Sequence, residues 1–432
     1  MTPVLAGVIG IAAMFLAIAF GMPIGFAMGL VGVLGFGLLI SFHAAIVKVG
    51  VIAFDLATNY AIGTVPLFLF MAHVLFASGI GQDLYDFAAR MLGHRRGGLA
   101  MATVGASAGF ASVNASSLAT TATMGLVALP EMRRHGYSLS LASGSVAAGG
   151  TIGSLIPPSG MFIIYGILTE ESIGKLFIAG IGPGVVTGLG YMVAIRLVLW
   201  RNPDWAPSHD DALTDAEGHR LEQKGRVWPV VLLVVLVLGS LYSGLATPTE
   251  VGAIGAVGAF LLSLSLGRLR AGTAATAIGN TLRTSAMIVT IIFGALMFGY
   301  FMTYTQVTNR LLDFIAASDI SPHLVLVLIL LMYLLLGMLM DQFAILVLTV
   351  PVSYSIVTGL GFDPIWFGIL IVKTAEIGLV TPPVGLNVFI ASAATQTPTK
   401  VGFKGVAPFV AVELVLLALL VSFPEISLFL VN

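Results

Sequence analysis

Apolar runs long enough to cross a lipid bilayer as helices make up most of the chain. A hydrocarbon core of about 30 Å needs about 20 apolar residues per helix. On that measure the sequence predicts eight single spans, at 4–20, 23–41, 60–79, 176–199, 227–245, 250–266, 284–305 and 405–423. Four further apolar blocks are too long or too interrupted to be one span, at 99–129, 137–168, 322–353 and 362–392. The predicted fold class is therefore an all-α polytopic membrane protein.

The composition excludes several other classes of protein. Charged residues make up 9% of the chain, whereas soluble domains carry about 25%. The chain has no cysteine, which excludes disulfides, thiolate metal sites and a cysteine nucleophile. Its net charge of −1 argues against nucleic acid as a partner. The run at 4–20 lacks a basic segment before it and leads into more membrane sequence, so it is predicted to be a spanning helix rather than a cleaved signal.

The chain is predicted to consist of two similar halves, 1–200 and 227–432, joined by a polar loop at 201–226. A shift of 225 residues places GTIGSLIPPSGMFIIYG (150–166) on AEIGLVTPPVGLNVFIA (375–391). Both segments contain a Pro-Pro pair followed two residues later by glycine. Amphipathic stretches at 82–92 and 308–317 also correspond and are predicted to lie along the membrane interface. An internal duplication explains the common order of these matches.

Basic residues predict how the halves cross the membrane. Arg95 and Arg96 precede the block at 99–129, and Arg133 and Arg134 follow it, so both of its ends are predicted to be cytoplasmic. That block and its counterpart at 322–353 are therefore predicted to be re-entrant hairpins. Each half then has five crossings and one hairpin, and the odd number inverts the second half. Inverted repeats with broken helices are typical of secondary transporters.

The first hairpin is rich in small polar residues. Helix packing alone would explain its hydroxyl groups, which belong to Ser116, Ser117, Thr120, Thr121 and Thr123. Asn114 is harder to explain in that way, because an amide inside the membrane needs partners. In the second hairpin, Asp341 places an ionisable group in a very apolar block. Such groups normally face a cavity, a partner or an ion; capping a half-helix or pairing with a lysine is the structural alternative. Ser112, Asn114, Gly337 and Asp341 are the candidate cation ligands of the hairpins.

The two Pro-Pro pairs are predicted to break helices at corresponding places. Pro157-Pro158 and Pro382-Pro383 prevent continuous helix, and Gly160 and Gly385 permit unusual backbone angles. A break leaves free carbonyl groups on one half-helix and free N–H groups on the next. Carbonyl ends suit Na⁺ and N–H ends suit an anion, whereas a simple kink is the structural alternative.

Polar residues surround the second break. Lys373 is three residues before Glu376, so the two side chains are compatible with a helical ion pair. The alternative is that Lys373 supplies positive charge to a carboxylate substrate. The predicted substrate-binding residues at the two breaks are Ser159, Gly160, Lys373, Gly385 and Asn387.

Four motifs give the chain a strong family resemblance. They are NASSLATTATMGLVALPEMRRHGYS (114–138), GGTIGSLIPPSGMFIIYG (149–166), GLATPTEVGAIGA (244–256) and EIGLVTPPVGLNVF (376–389). The chain resembles the large membrane subunit of the tripartite ATP-independent periplasmic (TRAP) transporters, and the similarity runs through both halves.

The resemblance implies a function and partners that composition does not show. It implies Na⁺-coupled import of an organic acid across the bacterial inner membrane, with an elevator movement of the hairpin-bearing domain and no cofactor other than the coupling ion. The expected partners are a small membrane subunit of four helices and a periplasmic substrate-binding protein. Carried over, the family's cation sites correspond to Ser112, Asn114 and Gly149, and to Gly337, Asp341 and Thr381.

Three other functions are compatible with parts of the sequence. A stand-alone transporter without partners is the nearest alternative. An intramembrane enzyme would need a second carboxylate opposite Asp341, for which Glu376 is the candidate, but hydrolysis would not explain a duplicated Pro-Pro break. A passive channel has no need of paired hairpins.

Overall fold

The computed structural model describes residues 2–114, 116–207, 227–318 and 320–431, which form helices joined by short turns. No strand occurs among these residues, and the predicted all-α fold class is confirmed. Of the predicted polar loop, the structure describes only the beginning, which contains a 3₁₀ turn at Pro203–Trp205. The rest of that loop, 208–226, lies outside the described residues.

The first half of the chain forms a series of ten α-helices in the described ranges. They are α1 (Pro3–Ala19), α2 (Ile24–Leu39), α3 (Phe42–Thr58), α4 (Thr64–Ala77), α5 (Ile80–Leu92), α6 (Gly98–Asn114), α7 (Ser117–Arg134), α8 (Leu139–Thr151), α9 (Gly160–Thr169) and α10 (Ile173–Arg201). Serine hydroxyls begin several of them by accepting a backbone N–H. Ser41 accepts from Ala44 N at 3.1 Å, and Ser138 accepts from Leu141 N at 3.2 Å.

The second half also contains ten α-helices in the described ranges. Its helices are α11 (Trp228–Tyr242), α12 (Pro248–Ser265), α13 (Ala271–Thr305), α14 (Val307–Ala317), α15 (Pro322–Gly337), α16 (Gln342–Gly359), α17 (Pro364–Val380), α18 (Leu386–Thr395), α19 (Thr399–Ser422) and α20 (Glu425–Leu428). Adding 225 to the bounds of α7, 117 and 134, gives the bounds of α16, 342 and 359. The predicted hairpins correspond to the helix pairs α6–α7 and α15–α16, and the predicted interfacial stretches correspond to α5 and α14.

Six helical segments in the described part of the chain are long and apolar enough to cross a membrane. They are Tyr60–Ala77, Ile173–Arg201, Pro248–Ser265, Ala271–Thr305, Gln342–Gly359 and Thr399–Ser422. Shorter apolar helices accompany them, among them α1, α2, α11 and α15. This distribution fits a polytopic membrane protein.

Helix α3 was not among the predicted spans. Its sequence contains Lys48 and Asp55, which interrupt the apolar pattern on which the prediction depended. The structure places the Lys48 ammonium 3.5 Å from the centre of the Tyr300 ring, a cation–π contact. The counterpart of α3 and α4 in the second half is the single 35-residue helix α13.

The centre of the molecule is helix α17, in which every residue from Ile365 to Val380 is buried. Helices α10, α15, α16 and α19 all contact it. Close packing elsewhere depends on glycine, as at Gly294 of α13, where a Cβ would lie 2.1 Å from the carbonyl oxygen of Gly25 on α2. Small residues allow such close approach of membrane helices.

Candidate ion and substrate sites

Both Pro-Pro pairs lie in interruptions between two helices. Helix α8 ends at Thr151 and α9 begins at Gly160, with a 3₁₀ turn over Ile152–Ser154 between them. Helix α17 ends at Val380 and α18 begins at Leu386. Gly385 has a φ of +60°, a left-handed conformation that favours glycine. Each break therefore leaves the C-terminal end of one helix and the N-terminal end of the next without continuing helix, close to a hairpin.

The tip of the first hairpin is built around Asn114 and Ser116. Ser116 caps α7 by accepting the backbone N–H of Ala119 at 3.4 Å. The Asn114 amide is 4% exposed and donates to Thr120 Oγ1 at 3.3 Å. Asn114 therefore has the buried polar partners that an amide in the membrane requires, and it connects the two arms of the hairpin.

The other predicted ligands of the first cation site, Ser112 and Gly149, lie on the packed helices α6 and α8. Ser112, on α6, donates to the carbonyl of Gly109 at 2.7 Å. Gly149, on α8, faces α6 further from the tip: a Cβ there would lie 2.5 Å from Ser107 Oγ. The Ser107 hydroxyl is itself buried without a hydrogen-bond partner in the described part of the chain. The structure thus brings these residues to one helix pair but places Gly149 more than a turn away from the tip.

The tip of the second hairpin contacts the second break. A Cβ on Gly337 would lie 3.0 Å from the Ala375 carbonyl oxygen, so the tip rests on α17 near its C-terminal end. Thr381 directly follows that helix, and its hydroxyl donates to the Ile377 carbonyl at 2.6 Å. The carbonyl end of a helix carries partial negative charge and attracts cations. The second predicted set of ligands thus gathers around a helix end of suitable polarity.

Asp341 caps α16, as the structural alternative predicted. One of its carboxylate oxygens accepts from the backbone N–H of Ala344 at 3.1 Å. An aspartate is not required for this cap, since asparagine and serine cap helices equally well. The cap accordingly accounts for the position of Asp341 but not for its negative charge.

A cavity of about 140 Å³ separates the hairpin tips from helices α4 and α13. Its lining residues include His73 of α4, Thr284 of α13, Asn114 and Ser116 of the first hairpin, Gly160 of α9 and Phe343 of the second hairpin. The rest of the lining is largely apolar. Apolar cavities with a few convergent polar groups are typical ligand sites.

Two features of this cavity suit an anion. Gly160 is the first residue of α9, and the preceding Ser159 makes no side-chain cap, so helix N–H groups are available at this wall. On α4, Nε2 of His73 is buried without a hydrogen-bond partner in the part of the chain that the structure describes. A bound carboxylate or sulfonate would provide acceptors for both groups.

Of the predicted substrate-binding residues, Gly160 is the one that lines the cavity. Ser159 is buried and donates to the Ser154 carbonyl at 2.6 Å. Asn387 is buried and donates to Ser117 Oγ at 2.9 Å. Gly385 packs closely against Phe403: a Cβ built on this glycine would lie 2.8 Å from the ring. These residues pack behind the cavity wall in this structure.

Lys373 is placed differently from both of its predicted roles. Its ammonium forms an ion pair with the Glu413 carboxylate of α19 and donates to Thr187 Oγ1 at 2.8 Å. Glu413 also accepts from the Tyr191 hydroxyl, which lies 2.6 Å from Thr151 Oγ1. The predicted Lys373–Glu376 pair is therefore wrong: the partner of Lys373 comes from another helix. The network joins α8, α10, α17 and α19.

Sequence reasoning missed His73, Thr284, Phe343 and Glu413. His73 and Glu413 are ionisable residues inside the predicted spans 60–79 and 405–423. The rule that singled out Asp341, that ionisable groups within the membrane have a function or a partner, applies to them equally. Thr284 and Phe343 gave no comparable signal, because hydroxyl and aromatic residues are common in membrane helices.

Comparisons with known proteins agree with this architecture. The sequence model described as "Tripartite ATP-independent periplasmic transporter, DctM component" matches residues 11–426. The chain is 35% identical over 390 residues to the C4-dicarboxylate TRAP transporter large permease protein DctM of Pseudomonas aeruginosa, covering 88% of each chain. It is 32% identical over 424 residues to the isethionate TRAP transporter permease protein DctMQ of Oleidesulfovibrio alaskensis, covering 97% of this chain but 65% of that one.

The fold is also similar to a solved structure, that of the Alcanivorax borkumensis YdaH transporter. The two structures superimpose with a TM-score of 0.66 over 90% of each chain, at 14% sequence identity. At that identity the similarity concerns the fold alone.

Proposed function

The chain belongs to the DctM component family of the tripartite ATP-independent periplasmic (TRAP) transporters, and on that premise we propose that it imports a small organic acid anion by Na⁺-coupled secondary transport. As a member of this family it is a multi-pass membrane permease and not an enzyme. The family works with a small membrane subunit and a substrate-binding protein. The substrate, the coupling ion and the movement are the proposed parts.

The cavity between the hairpin tips and α4 is the observation that carries the proposal. Its volume of about 140 Å³ suits a molecule of a few heavy atoms. The start of α9 at Gly160 provides N–H donors, and His73, whose Nε2 is unpartnered in the described residues, is proposed to provide another from α4. The named relatives transport a C4-dicarboxylate and isethionate, which are a carboxylate and a sulfonate. Small anions with two polar ends are therefore the proposed substrate class.

Na⁺ is proposed to bind where the hairpin tips contact the broken helices. At the second tip, Gly337 and Thr381 lie at the C-terminal end of α17, and Asp341, four residues after Gly337, supplies a negative charge. At the first tip, Ser112 and Asn114 provide side-chain and carbonyl oxygens. Oxygen ligands of this kind suit a hard monovalent cation.

The mobile part is proposed to be the unit of both hairpins, both broken helices and the two helices α10 and α19 that the buried network connects to them. The Lys373–Glu413 pair connects α17 with α19, and the Tyr191 hydroxyl extends this network to Thr151 on α8. A unit connected in this way is suited to moving as a body against α4 and α13, as an elevator mechanism requires.

The proposed partners are a separate small membrane subunit of four helices and a periplasmic binding protein that delivers the substrate. The match to 65% of the DctMQ relative leaves a third of that protein unmatched, which is compatible with a small subunit joined to it. The proposed location is the inner membrane of a bacterium.

Uptake into proteoliposomes tests the proposal. Vesicles containing the chain, the small membrane subunit and the binding protein are supplied with a labelled C4-dicarboxylate, or with isethionate, under an inward Na⁺ gradient. We expect accumulation that needs both the gradient and the binding protein. Uptake that is unchanged when K⁺ replaces Na⁺ would refute the coupling ion, and uptake without the binding protein would indicate a stand-alone transporter.

A further inference from the structure

Glu376 is a fully buried ionisable residue that has no role in the proposed transport cycle. It is 0% exposed on α17, and one of its carboxylate oxygens accepts from the Ser117 hydroxyl of the first hairpin at 3.0 Å. Its other oxygen, Oε1, is buried without a hydrogen-bond partner in the described residues. A buried carboxylate with an unpaired oxygen is costly in the membrane interior. The carboxylate therefore needs a positive charge or a hydrogen that the neighbouring side chains do not supply.

The surrounding charges leave one negative charge uncompensated. Among the described residues, the acidic and basic side chains that are 1% exposed or less are Lys373, Glu376 and Glu413. Lys373 is paired with Glu413, which leaves Glu376 without a basic partner in this part of the chain. One additional positive charge would neutralise the cluster.

A second orphaned acceptor belongs to the same hydrogen-bonded chain. Asn387 of α18 donates through Nδ2 to Ser117 Oγ at 2.9 Å, and that hydroxyl in turn donates to Glu376. The Asn387 oxygen, Oδ1, is buried and unpartnered among the described residues. The available hydrogens of this chain are used, and two oxygen acceptors remain. A hydrogen on the Glu376 carboxyl group is the smallest change that removes the buried negative charge.

We infer that Glu376 is a proton-binding site and that the transporter works with this carboxyl group protonated. A proton requires no space, which suits a position outside the lining of the cavity at the hairpin tips. The site goes beyond the proposed import function, because it does not depend on which ion drives uptake. It joins the first hairpin, α17 and α18 while the carboxyl stays neutral.

The groups facing Glu376 come from several helices. Those that carry charge or titrate are Lys373 of its own helix, Glu413 of α19 and Tyr191 of α10. The non-titrating polar neighbours are Ser117 of α7, Asn387 of α18 and Ser154 of the first break. Ser154 donates its one hydroxyl hydrogen to Gln342 Oε1 of α16, at 2.8 Å. The charges of Lys373 and Glu413 cancel. The net charge of Lys373, Glu376 and Glu413 is therefore zero when Glu376 is protonated and −1 when it is not.

The pH dependence follows from the protonated form being the active one. Function is complete at neutral pH, where Glu376 is protonated, and it is lost as the pH rises and the proton leaves, because the buried charge then has no partner. Ser117→Ala removes the hydroxyl that stabilises the charged form. We therefore expect the alkaline loss in that variant to move to a higher pH, by about one unit.

Infrared difference spectroscopy of the full chain in lipid tests the inference directly and needs no transport. We expect a carbonyl band of a protonated carboxyl group at neutral pH that disappears on alkalinisation and is absent from Glu376→Gln. The control Glu425→Gln, at an exposed position in α20, should retain the band. The inference would be overturned if the wild type showed no such band at neutral pH, or if the band persisted in Glu376→Gln.

Uptake provides a second readout in the same variants. Glu376→Gln keeps a neutral side chain of the same shape, so it should transport at neutral pH and lose the alkaline decline. A decline that persists unchanged in Glu376→Gln would contradict the proton site. If that variant does not fold, two spectra decide the question. The wild-type band should disappear at alkaline pH, and in Ser117→Ala it should disappear at a higher pH than in the wild type. Failure of Na⁺ coupling alone would leave the infrared result intact.

Discussion

Replacing Gly150 with alanine tests whether the first hairpin and the first broken helix form one packed unit. Gly150 lies in the last turn of α8, next to the break. A Cβ at this position would be 1.9 Å from Thr121 Oγ1 and 3.1 Å from the Ser117 carbonyl oxygen, both on α7. Ordinary van der Waals contact begins near 3.4 Å. The Thr121 side chain or helix α7 must therefore move by about 1.5 Å to admit the new methyl group.

The size of the effect follows from the contacts that must change. Overpacking of a tightly packed interior costs about 1–3 kcal/mol. Rotating Thr121 away would also break its hydrogen bond to the Ser117 carbonyl, at 3.0 Å, at a cost of about 1 kcal/mol. Alanine recovers about 1 kcal/mol of helix propensity relative to glycine. The expected net destabilisation is about 1–3 kcal/mol.

Thermal unfolding in detergent, followed by size-exclusion chromatography with fluorescence detection, measures this effect. Gly150→Ala should lower the melting temperature by several degrees and reduce uptake. The control is Gly188→Ala in α10, where nothing lies within 4 Å of the new Cβ; its melting temperature should equal or exceed that of the wild type.

A second substitution separates the clash from other effects. Thr121→Ala removes the atom at 1.9 Å, so the double variant should regain most of the stability that Gly150→Ala loses, with a coupling energy of about 1–2 kcal/mol. If Gly150→Ala melts like the wild type, or if Thr121→Ala restores nothing, the packing of α7 on α8 is not as described.

Three further predictions concern the ions, the substrate and the buried network. Asp341→Asn keeps a side chain that caps α16 but removes the charge, so the Na⁺ concentration for half-maximal uptake should rise at least tenfold with the melting temperature unchanged; an unchanged Na⁺ dependence would return Asp341 to a capping role. His73→Ala removes a proposed donor to the substrate anion, so the KM for uptake should rise about tenfold or more, and His73→Gln should recover part of the loss; equal KM values for wild type and His73→Ala would remove the residue from the site. Lys373→Met leaves Glu413 buried without its partner, which should cost about 3–5 kcal/mol and lower the yield of folded protein, whereas adding Glu413→Leu should restore the yield; a Lys373→Met variant as stable as the wild type would contradict the ion pair.

Much of the architecture was predictable because its signals are local. Proline cannot continue a helix, so Pro157-Pro158 and Pro382-Pro383 marked both interruptions, and the common offset of 225 residues paired them. The first hairpin followed from the arginines at both ends of the block 99–129, and the second from its correspondence to the first. Helix α3 escaped prediction because Lys48 and Asp55 reduce its apolar character, and only the structure shows the Tyr300 ring that receives the lysine.

The site was less predictable because its contacts join distant parts of the chain. Lys373 and Glu376 are three residues apart, yet the ammonium pairs with Glu413 on another helix. Asn387 follows a break, but its position in the sequence does not say that its side chain bonds to Ser117 of the first hairpin instead of lining the cavity. His73 was open to prediction, since it is an ionisable residue in an apolar span.

Protection of a single introduced thiol tests most directly whether substrate and Na⁺ bind together at the hairpin tips. The chain contains no cysteine, so Ala119→Cys, in the cavity lining, would be its one reactive site. The substrate anion should slow labelling by a thiol reagent when Na⁺ is present and should have little effect when K⁺ replaces it. Labelling that the substrate does not slow in Na⁺, or slows equally in K⁺, would contradict a cation-dependent substrate site between the hairpin tips and α4.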